Sequence, residues 1–205
     1  MVLSGEWRRL DPAKSLVPLM ITFQFNFQKT IQAAGVILRE HPNSRMDRVR
    51  LLKLLYIADR ELLVETGQTL TGDRAVAMKK GPVLCEVYEL IQGGTLHAPD
   101  WNAVIQTVHY EVVLTGGVGV GKLTKAEVGK LHALCERYRD SDSEDLSELT
   151  HHFQEWVRAF DPNRPESPAV MSWESVLEAQ GESLLINEVE ADLRQRDLVD
   201  TAFRG

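Results

Sequence analysis

The segment NSRMDRVRLLKLLYIADRELLVETG, Asn43 to Gly67, predicts a long helix at the centre of the molecule. Ser44 is the candidate N-cap, with Asp47 three residues later near the positive end of the helix dipole, and Gly67 supplies a C-terminal stop. Apolar residues recur at helical spacing, and further leucines widen their stripe: Met46, Val49, Leu51, Leu52, Leu54, Leu55, Tyr56, Leu62 and Leu63. So wide an apolar face is typical of a helix enclosed by the core.

Four charged residues of this helix are candidates for a surface or site role. Lys53, Arg60 and Glu61 fit a solvated face, which is the default for charges on a helix. Asp59 follows Tyr56 by three residues, and a carboxylate that is partly buried there needs a donor partner. Structural pairing is the favoured interpretation of Asp59, and a recognition site is the alternative.

Helical periodicity also dominates the rest of the chain. Thr22 is the candidate cap of a helix that ends before Pro42, and Pro82 fits the first turn of a helix that ends at Gly93. Further helices are predicted for Lys125 to Tyr138, Leu146 to Phe160, Trp173 to Ala179 and Glu182 to Arg196. Residues 68–80 predict a turn and then a short irregular or helical piece.

One β element interrupts the helices. Apolar residues alternate along VHYEVVL, residues 108–114, with the period of a strand. Val104 and Ile105 either begin this strand or form a short partner for it. We therefore expect an α+β fold that is predominantly α-helical, with a small strand or hairpin near residues 104–114.

The composition is that of an ordinary globular domain with an acidic balance. Of the 205 residues, 43% are hydrophobic and 26% charged, and the net charge is −7 with a pI near 5.4. A nucleic-acid partner is not expected, because such proteins need a basic surface to release counterions from phosphate. Residues 1–20 are expected to form a loose lead-in, and residues 21–205 to form a single domain.

The two cysteines and the apolar runs bear on the cellular compartment. Cys85 and Cys135 both lie in apolar helical patterns, which predicts buried free thiols rather than a disulfide framework. The N-terminus lacks the apolar core of a signal peptide, and no apolar run approaches the roughly 20 residues that span a bilayer. We expect a cytoplasmic protein without a membrane partner.

The glycine-rich stretch TGGVGVGKLT, residues 115–124, raises the main alternative, a nucleotide-binding enzyme or switch that uses residues 116–122. A phosphate-binding P-loop requires Ser or Thr directly after its lysine, but Leu123 follows Lys122. Thr124 and Glu127 instead form a T-x-x-E capping box at the start of a helix. The chain also shows no second strand ending in an aspartate for magnesium, so the capping box is favoured.

No catalytic or metal-binding constellation stands out. His132 and Cys135 have a spacing that can hold a metal, but a structural site needs about four ligands, and no C-x-x-C or H-E-x-x-H occurs. A G-x-S-x-G nucleophile motif is missing as well. We therefore expect no metal, no cofactor, no catalytic residues and no enzymatic activity.

Two stretches carry motifs in a distinctive order. The first, residues 51–91, has K-L-L-Y at 53–56, G-P-V at 81–83 and then Tyr88. The second, residues 123–159, contributes Leu123, Thr124, Glu127, Leu146, Thr150, His151 and Trp156. In order and spacing these resemble the Panacea domain, also called the SocA-like antitoxin domain, and the similarity extends over most of the chain.

The resemblance implies binding rather than chemistry. Similar proteins are antitoxins of bacterial and phage toxin–antitoxin pairs, which neutralise a toxin by direct contact, and some act as adaptors that hand the toxin to a protease. The expected partners are thus a cognate toxin encoded by an adjacent gene and, in the adaptor case, a protease. A homo-oligomer is compatible with the sequence. Transcriptional autoregulation, a further role of some antitoxins, is disfavoured by the negative charge.

The resemblance and the residues together give a candidate site. The candidate partner-binding or family-motif residues are Lys53, Tyr56, Asp59, Gly81, Pro82, Val83, Tyr88, His151 and Trp156. Residues 81–83 are expected to set a helix N-terminus whose free N–H groups receive an acidic group or a carbonyl. The aromatic residues and the histidine either line a pocket beside it as anchors or are core residues that build the fold.

Overall fold

Nine α-helices and two small antiparallel sheets build residues 21–204, the part of the chain that this computed structural model describes. The helices are α1 Phe27–Arg39, α2 Arg48–Thr66, α3 Cys85–Gln92, α4 Ala98–Asn102, α5 Lys125–Arg137, α6 Ser143–His151, α7 Gln154–Ala159, α8 Trp173–Ala179 and α9 Leu185–Arg204. The strands are β1 Arg45–Asp47, β2 Ala75–Met78, β3 Gly81–Leu84, β4 Ile105–Val108, β5 Glu111–Leu114 and β6 Ala169–Met171. The fold is α+β and predominantly helical, as predicted. The expected lead-in, residues 1–20, lies outside the described residues.

Helix α2 is the centre of the core, as its wide apolar stripe predicts. It packs against α1, α5, α6, α8 and strand β3, and one apolar cluster around it extends from Ile21 to Val189. Its C-terminal stop at Gly67 is confirmed by a φ of 69°. The N-cap prediction was wrong, because Asp47 and not Ser44 accepts from the backbone N–H of Val49 at 2.8 Å. Residues 45–47 pair with β5 as strand β1, so the helix starts only after them.

Helix α1 also starts later than predicted. Asn26, not Thr22, is its N-cap, and the Asn26 side chain accepts from the backbone N–H of Lys29 at 3.0 Å. The backbone N–H of Asn26 donates to the carbonyl of Thr71 at 2.7 Å. This bond ties the cap to the loop after α2, so the residues before it cannot continue the helix.

The first sheet, with strand order β1-β5-β4, confirms a small β element near residues 104–114. It is a hairpin rather than one long strand, because the chain turns at His109, whose φ is 59°. The pair Val108 and Glu111 closes the hairpin. Ile105 and Val112 are fully buried and carry the sheet's contact with the core.

The second sheet, with strand order β3-β2-β6, was not predicted. Strand β2 forms where an irregular or helical piece was expected, and β3 occupies residues 81–84, where a helix start was expected. Gly81 has a φ of 93°, which lets the chain reverse after β2 and pair with it. Pro82 is tolerated because β3 is an edge strand, where a missing N–H costs no ladder hydrogen bond. Helix α3 then begins at Cys85 and ends at Gly93, whose φ is 78°.

The helices predicted for the C-terminal half are present, but one of them is interrupted and the last has different bounds. The Thr124–Glu127 capping box of α5 is present, and α8 has the predicted bounds. The predicted single helix over residues 146–160 is two helices, because the backbone of Phe153 is extended with a ψ of 123°. This break turns α7 so that Glu155 and Trp156 face the core. The last helix begins three residues later than predicted and runs further.

Candidate functional site

Gly81 lies where α2, α6 and β3 meet. A Cβ at this position would stand 2.5 Å from Oγ1 of Thr150 and 2.8 Å from Nζ of Lys53. Both distances are shorter than real contacts of a Cβ atom, and the φ of 93° disfavours any side chain. The G-P-V motif therefore serves a close approach of three elements and not a helix start.

Lys53 is fully buried beneath this point, which contradicts its assignment to a solvated face. Its Nζ donates to the carbonyl oxygen of Pro82 at 2.7 Å. Within residues 21–204 it forms no ion pair with a carboxylate. Burial, with the nearby charge of Lys80 as a smaller cause in the same direction, lowers the pKa of Lys53 to about 7. The result is a cationic or neutral amine at the base of a surface depression.

Two rings clamp the turn between β2 and β3. The indole Nε1 of Trp156 donates to the carbonyl of Met78 at 3.0 Å, and Nε2 of His151 lies 3.1 Å from the carbonyl of Lys79. The two rings stack with centroids 4.4 Å apart. Partial burial lowers the pKa of His151, although the bond to the Lys79 carbonyl opposes the shift; the charge of Lys53 is a smaller cause that also lowers it. A hydrogen bond from the ring to this carbonyl requires the N–H to be on Nε2.

A groove runs along the start of α2 beside this turn. It consists of two cavities of about 280 and 490 Å³ that share Arg48, Val49 and Lys80, and we call it the α2 groove. The smaller cavity is closed by Tyr88 and by the loop at residues 165–168. The larger cavity is closed by Tyr110 of the first sheet and by α6.

The two ends of the α2 groove differ in charge. The smaller cavity is lined by Arg48, Lys53, Lys79 and Lys80, with Glu166 as its acidic residue. The larger cavity shares Arg48 and Lys80 and adds Asp47, Glu144 and Glu148 at its far side. A cationic end thus faces the β2–β3 turn, and an acidic end faces α6.

Tyr56 belongs to the core behind the groove. It is 0% exposed, and its hydroxyl donates to Oε1 of Glu155 at 3.1 Å. The same oxygen accepts from Nε of Arg60 at 2.6 Å, and the Arg60 guanidinium lies 4.0 Å from the ring centroid of Phe153. Arg60 is therefore a largely buried ion-pair partner that joins α2 to α7, not part of a solvated face.

Asp59 is paired, as the favoured interpretation held. Its Oδ1 accepts from the backbone N–H of Thr71 at 2.8 Å, and its Oδ2 accepts from the Thr71 hydroxyl. Burial raises the pKa of Asp59 to about 7, although the bonds from Thr71 oppose the shift. This pair joins α2 to the loop after it and does not line the α2 groove.

The expected anion site at a helix N-terminus is not present at residues 81–83. The N-terminus of α3 is filled from within, because Asp73 accepts from the N–H groups of Glu86 at 3.1 Å and Val87 at 3.0 Å. Asp73 is nearly fully buried, and this burial raises its pKa to about 7. A carboxylate 13 residues away therefore replaces the local cap that Leu84 cannot supply.

The nine candidates fall into three groups. Those that line the α2 groove are Lys53, Val83, Tyr88 and His151. Those that support it from behind are Tyr56, Gly81, Pro82 and Trp156. Asp59 stands apart. Sequence reasoning missed Arg48, Lys80 and Thr150, and the Lys79–Lys80 pair directly before G-P-V was the signal that could have suggested a cationic wall.

The glycine-rich loop shows no phosphate cradle. The strand before it, β5, lies in an antiparallel sheet rather than the parallel sheet of a P-loop fold. The backbone N–H of Lys122 donates to the side chain of Gln32 at 2.7 Å, and Arg39 donates to the carbonyl of Val118. The loop is thus held against α1, and Thr124 is used by its capping box.

Among residues 21–204, no group of three or more His, Cys, Asp and Glu side chains could hold a metal ion. His132 pairs instead with Glu40 at 2.9 Å, and Cys85 and Cys135 are free thiols, the first buried and the second half-buried. Within residues 21–204, no helix is both long and apolar enough to cross a membrane.

Comparison with known families places the chain among antitoxin-like proteins. Residues 51–157, just over half of the chain, match the profile of the family described as "Antitoxin SocA-like, Panacea domain". The chain belongs to this family. No curated protein and no solved structure matches the chain significantly. The matched region begins in α2, ends in α7 and contains all nine candidate residues.

Proposed function

We propose that this protein is the antitoxin of a toxin–antitoxin pair and neutralises its cognate toxin by direct protein–protein contact, without turnover. The observation that carries the proposal is the family match over residues 51–157. That region includes most of helix α2, the β2–β3 turn, helix α6 and the clamp formed by His151 and Trp156. The family is thus matched over much of the α2 groove, whereas Arg48 and the loop at residues 165–168 lie outside the matched region.

In this proposal the α2 groove is the contact surface. Tyr88 and His151 are half-buried, so part of each ring faces the groove while the rest is held by the protein. Such preordered aromatic positions make good anchors, because little side-chain entropy is lost on binding. Gly81, Pro82, Trp156 and Tyr56 act indirectly, by holding the turn and α2 in place.

The same proposal covers the origin of the toxin, the cellular compartment and the extent of the domain. The toxin is encoded by an adjacent gene, both proteins act in the cytoplasm, and residues 21–205 act as one domain. The single apolar cluster from Ile21 to Val189 supports one folding unit. Self-association is compatible with this scheme but is not required by it.

The test is a co-expression rescue. Each gene adjacent to this one is induced in a sensitive host, with and without this protein, and growth is followed. We expect one neighbour to arrest growth, this protein to restore it, and the two proteins to co-purify. If no neighbour is toxic and none binds this protein, the proposed function is wrong.

The same strains separate the two modes of neutralisation. Direct inhibition leaves the amount of toxin in rescued cells unchanged, and rescue persists in hosts that lack cytoplasmic ATP-dependent proteases. An adaptor mechanism shortens the half-life of the toxin, and rescue is lost in one of the protease-deficient hosts. We expect direct inhibition, and a pulse-chase measurement of the toxin decides between the two.

A further inference from the structure

The cationic end of the α2 groove carries charge that the described chain does not neutralise. Within residues 21–204, Arg48, Lys53 and Lys80 form no ion pair with a carboxylate, and Lys79 forms one exposed pair with Glu166 at 3.2 Å. Arg48 lies 5.2 Å from the ring centroid of Tyr110, a contact that positions the guanidinium without cancelling its charge. This excess of cations stands out in a chain with a net charge of −7.

The acidic end of the groove carries negative charge that the described residues do not neutralise. Glu144 and Glu148 are exposed on α6, and neither forms an ion pair within the described residues. Asp47, which lines the same cavity, is already used as the N-cap of α2. The groove therefore presents positive charge at the β2–β3 turn and negative charge at α6, with Val49 between them.

We propose that the α2 groove receives an extended segment of the partner toxin that places a carboxylate at the Arg48–Lys80 end and a basic side chain at the Glu144–Glu148 end. This inference rests on the proposed function, because it names the chemistry of the toxin's contact. Arg48 and Lys80 make the direct contacts, since Lys53 is fully buried. Lys53 lies below them and holds the β2–β3 turn in place through its hydrogen bond to the carbonyl of Pro82.

The charge pattern favours a polypeptide of mixed charge. A nucleic-acid strand carries one phosphate after another, and those facing Glu144 and Glu148 would be repelled. The walls of the smaller cavity also include the apolar side chains of Leu52 and Val83 and the ring of Pro165. Such walls accommodate an apolar side chain next to the carboxylate, a combination that peptides offer and phosphate backbones do not.

The experiment uses charge reversal in the full-length protein. Lys80→Glu and Glu148→Lys each reverse one exposed end of the groove, and Lys125→Glu on α5 reverses an exposed lysine elsewhere as the matched control. Affinity is measured with the purified toxin found by the co-expression rescue. We expect each groove variant to bind about tenfold or more weakly, whereas surface substitutions such as Lys125→Glu stay within about twofold. Melting temperatures of all three variants should match that of the parent protein.

A suppressor selection then identifies the contacting group. Toxin variants that Lys80→Glu can neutralise are selected from a mutagenised library, and we expect an aspartate or glutamate changed to lysine or arginine. If the parent protein rescues growth but Lys80→Glu and Glu148→Lys bind as tightly as Lys125→Glu, the groove inference is overturned and the antitoxin function stands. If the parent protein itself binds no toxin, both are overturned.

Discussion

Nζ of Lys53 donates a hydrogen bond of 2.7 Å to the carbonyl oxygen of Pro82, 29 residues further along the chain. This bond joins the middle of α2 to the edge strand β3 and fixes the floor of the α2 groove. A buried lysine without a carboxylate partner favours its neutral form, which explains why its pKa is lowered to about 7.

Because the buried Lys53 amine has a lowered pKa, the stability of the protein should depend on pH, and Lys53→Met should remove this dependence. Because the pKa of Lys53 is about 7 when folded and near 10.5 when unfolded, the unfolded state binds more protons between these values. Stability from this group therefore rises with pH, by at most about 1.4 kcal/mol per pH unit. Denaturant melts between pH 7.5 and 9 should show the parent curve rising relative to that of Lys53→Met.

The other shifted groups are present in both proteins, so their contributions cancel when the parent protein is compared with Lys53→Met. These groups are the carboxyls of Asp59 and Asp73, with pKa values of about 7, and the thiols of Cys135 and Cys85, with pKa values of about 11 and 12. Lys125→Met, which removes an exposed amine, serves as the control and should run parallel to the parent protein. Parallel curves for Lys53→Met as well would show that Lys53 keeps an ordinary pKa.

Gly81→Ala should destabilise the protein strongly. The new Cβ would meet Thr150 Oγ1 at 2.5 Å and Lys53 Nζ at 2.8 Å, and the φ of 93° adds backbone strain. We expect a loss of about 2 kcal/mol or more in the free energy of unfolding. Gly117→Ala is the matched control, since its Cβ meets nothing within 4 Å. Equal stability of the two variants would contradict the close packing described at Gly81.

Local signals predicted the parts of the fold that depend on neighbouring residues. The capping box of Thr124 and Glu127 and the stop at Gly67 need only a few residues, and both were found from the sequence. Gly81–Pro82 has the local signature of a helix start, but pairing with β2 overrides it. That pairing comes from the tertiary structure, so no local rule could predict it.

Burial of side chains in the candidate site also depends on residues that are distant in sequence. The burial of Lys53 depends on a carbonyl acceptor 29 residues away, and that of Arg60 depends on Glu155, 95 residues away. A lysine or arginine on a helix is exposed by default, so sequence periodicity assigned both to solvent. The residues of the family motif do lie close together in the structure, since most of them line or support the α2 groove.

Glu155→Ala should be among the most destabilising single substitutions in the chain. The Glu155 carboxylate is fully buried and accepts from both Arg60 and Tyr56, so its removal leaves a nearly buried guanidinium unpaired. Breaking such a pair costs about 3–5 kcal/mol. Arg158→Ala removes one partner of an exposed pair with Glu178 at 3.3 Å, which should change stability by less than about 1 kcal/mol. Urea titration of both variants checks the contrast.

Asp73→Ala should loosen α3 more than Asp73→Asn does. Alanine removes every acceptor for the N–H groups of Glu86 and Val87, whereas asparagine keeps one side-chain oxygen that can bond to them. Loss of a helix cap costs about 1–2 kcal/mol, and we expect Asp73→Asn to recover part of it. Amide hydrogen exchange of residues 86 and 87 gives the readout, and equal protection in both variants would rule out the capping role.

The most direct test is a titration of the purified toxin, identified among the neighbouring gene products, into the purified protein. We expect saturable binding with a fixed stoichiometry, weakened by Lys80→Glu and unchanged by Lys125→Glu, with toxin activity falling in step with complex formation. Absence of saturable binding to a toxin that this protein nevertheless counteracts in cells would contradict neutralisation by direct contact.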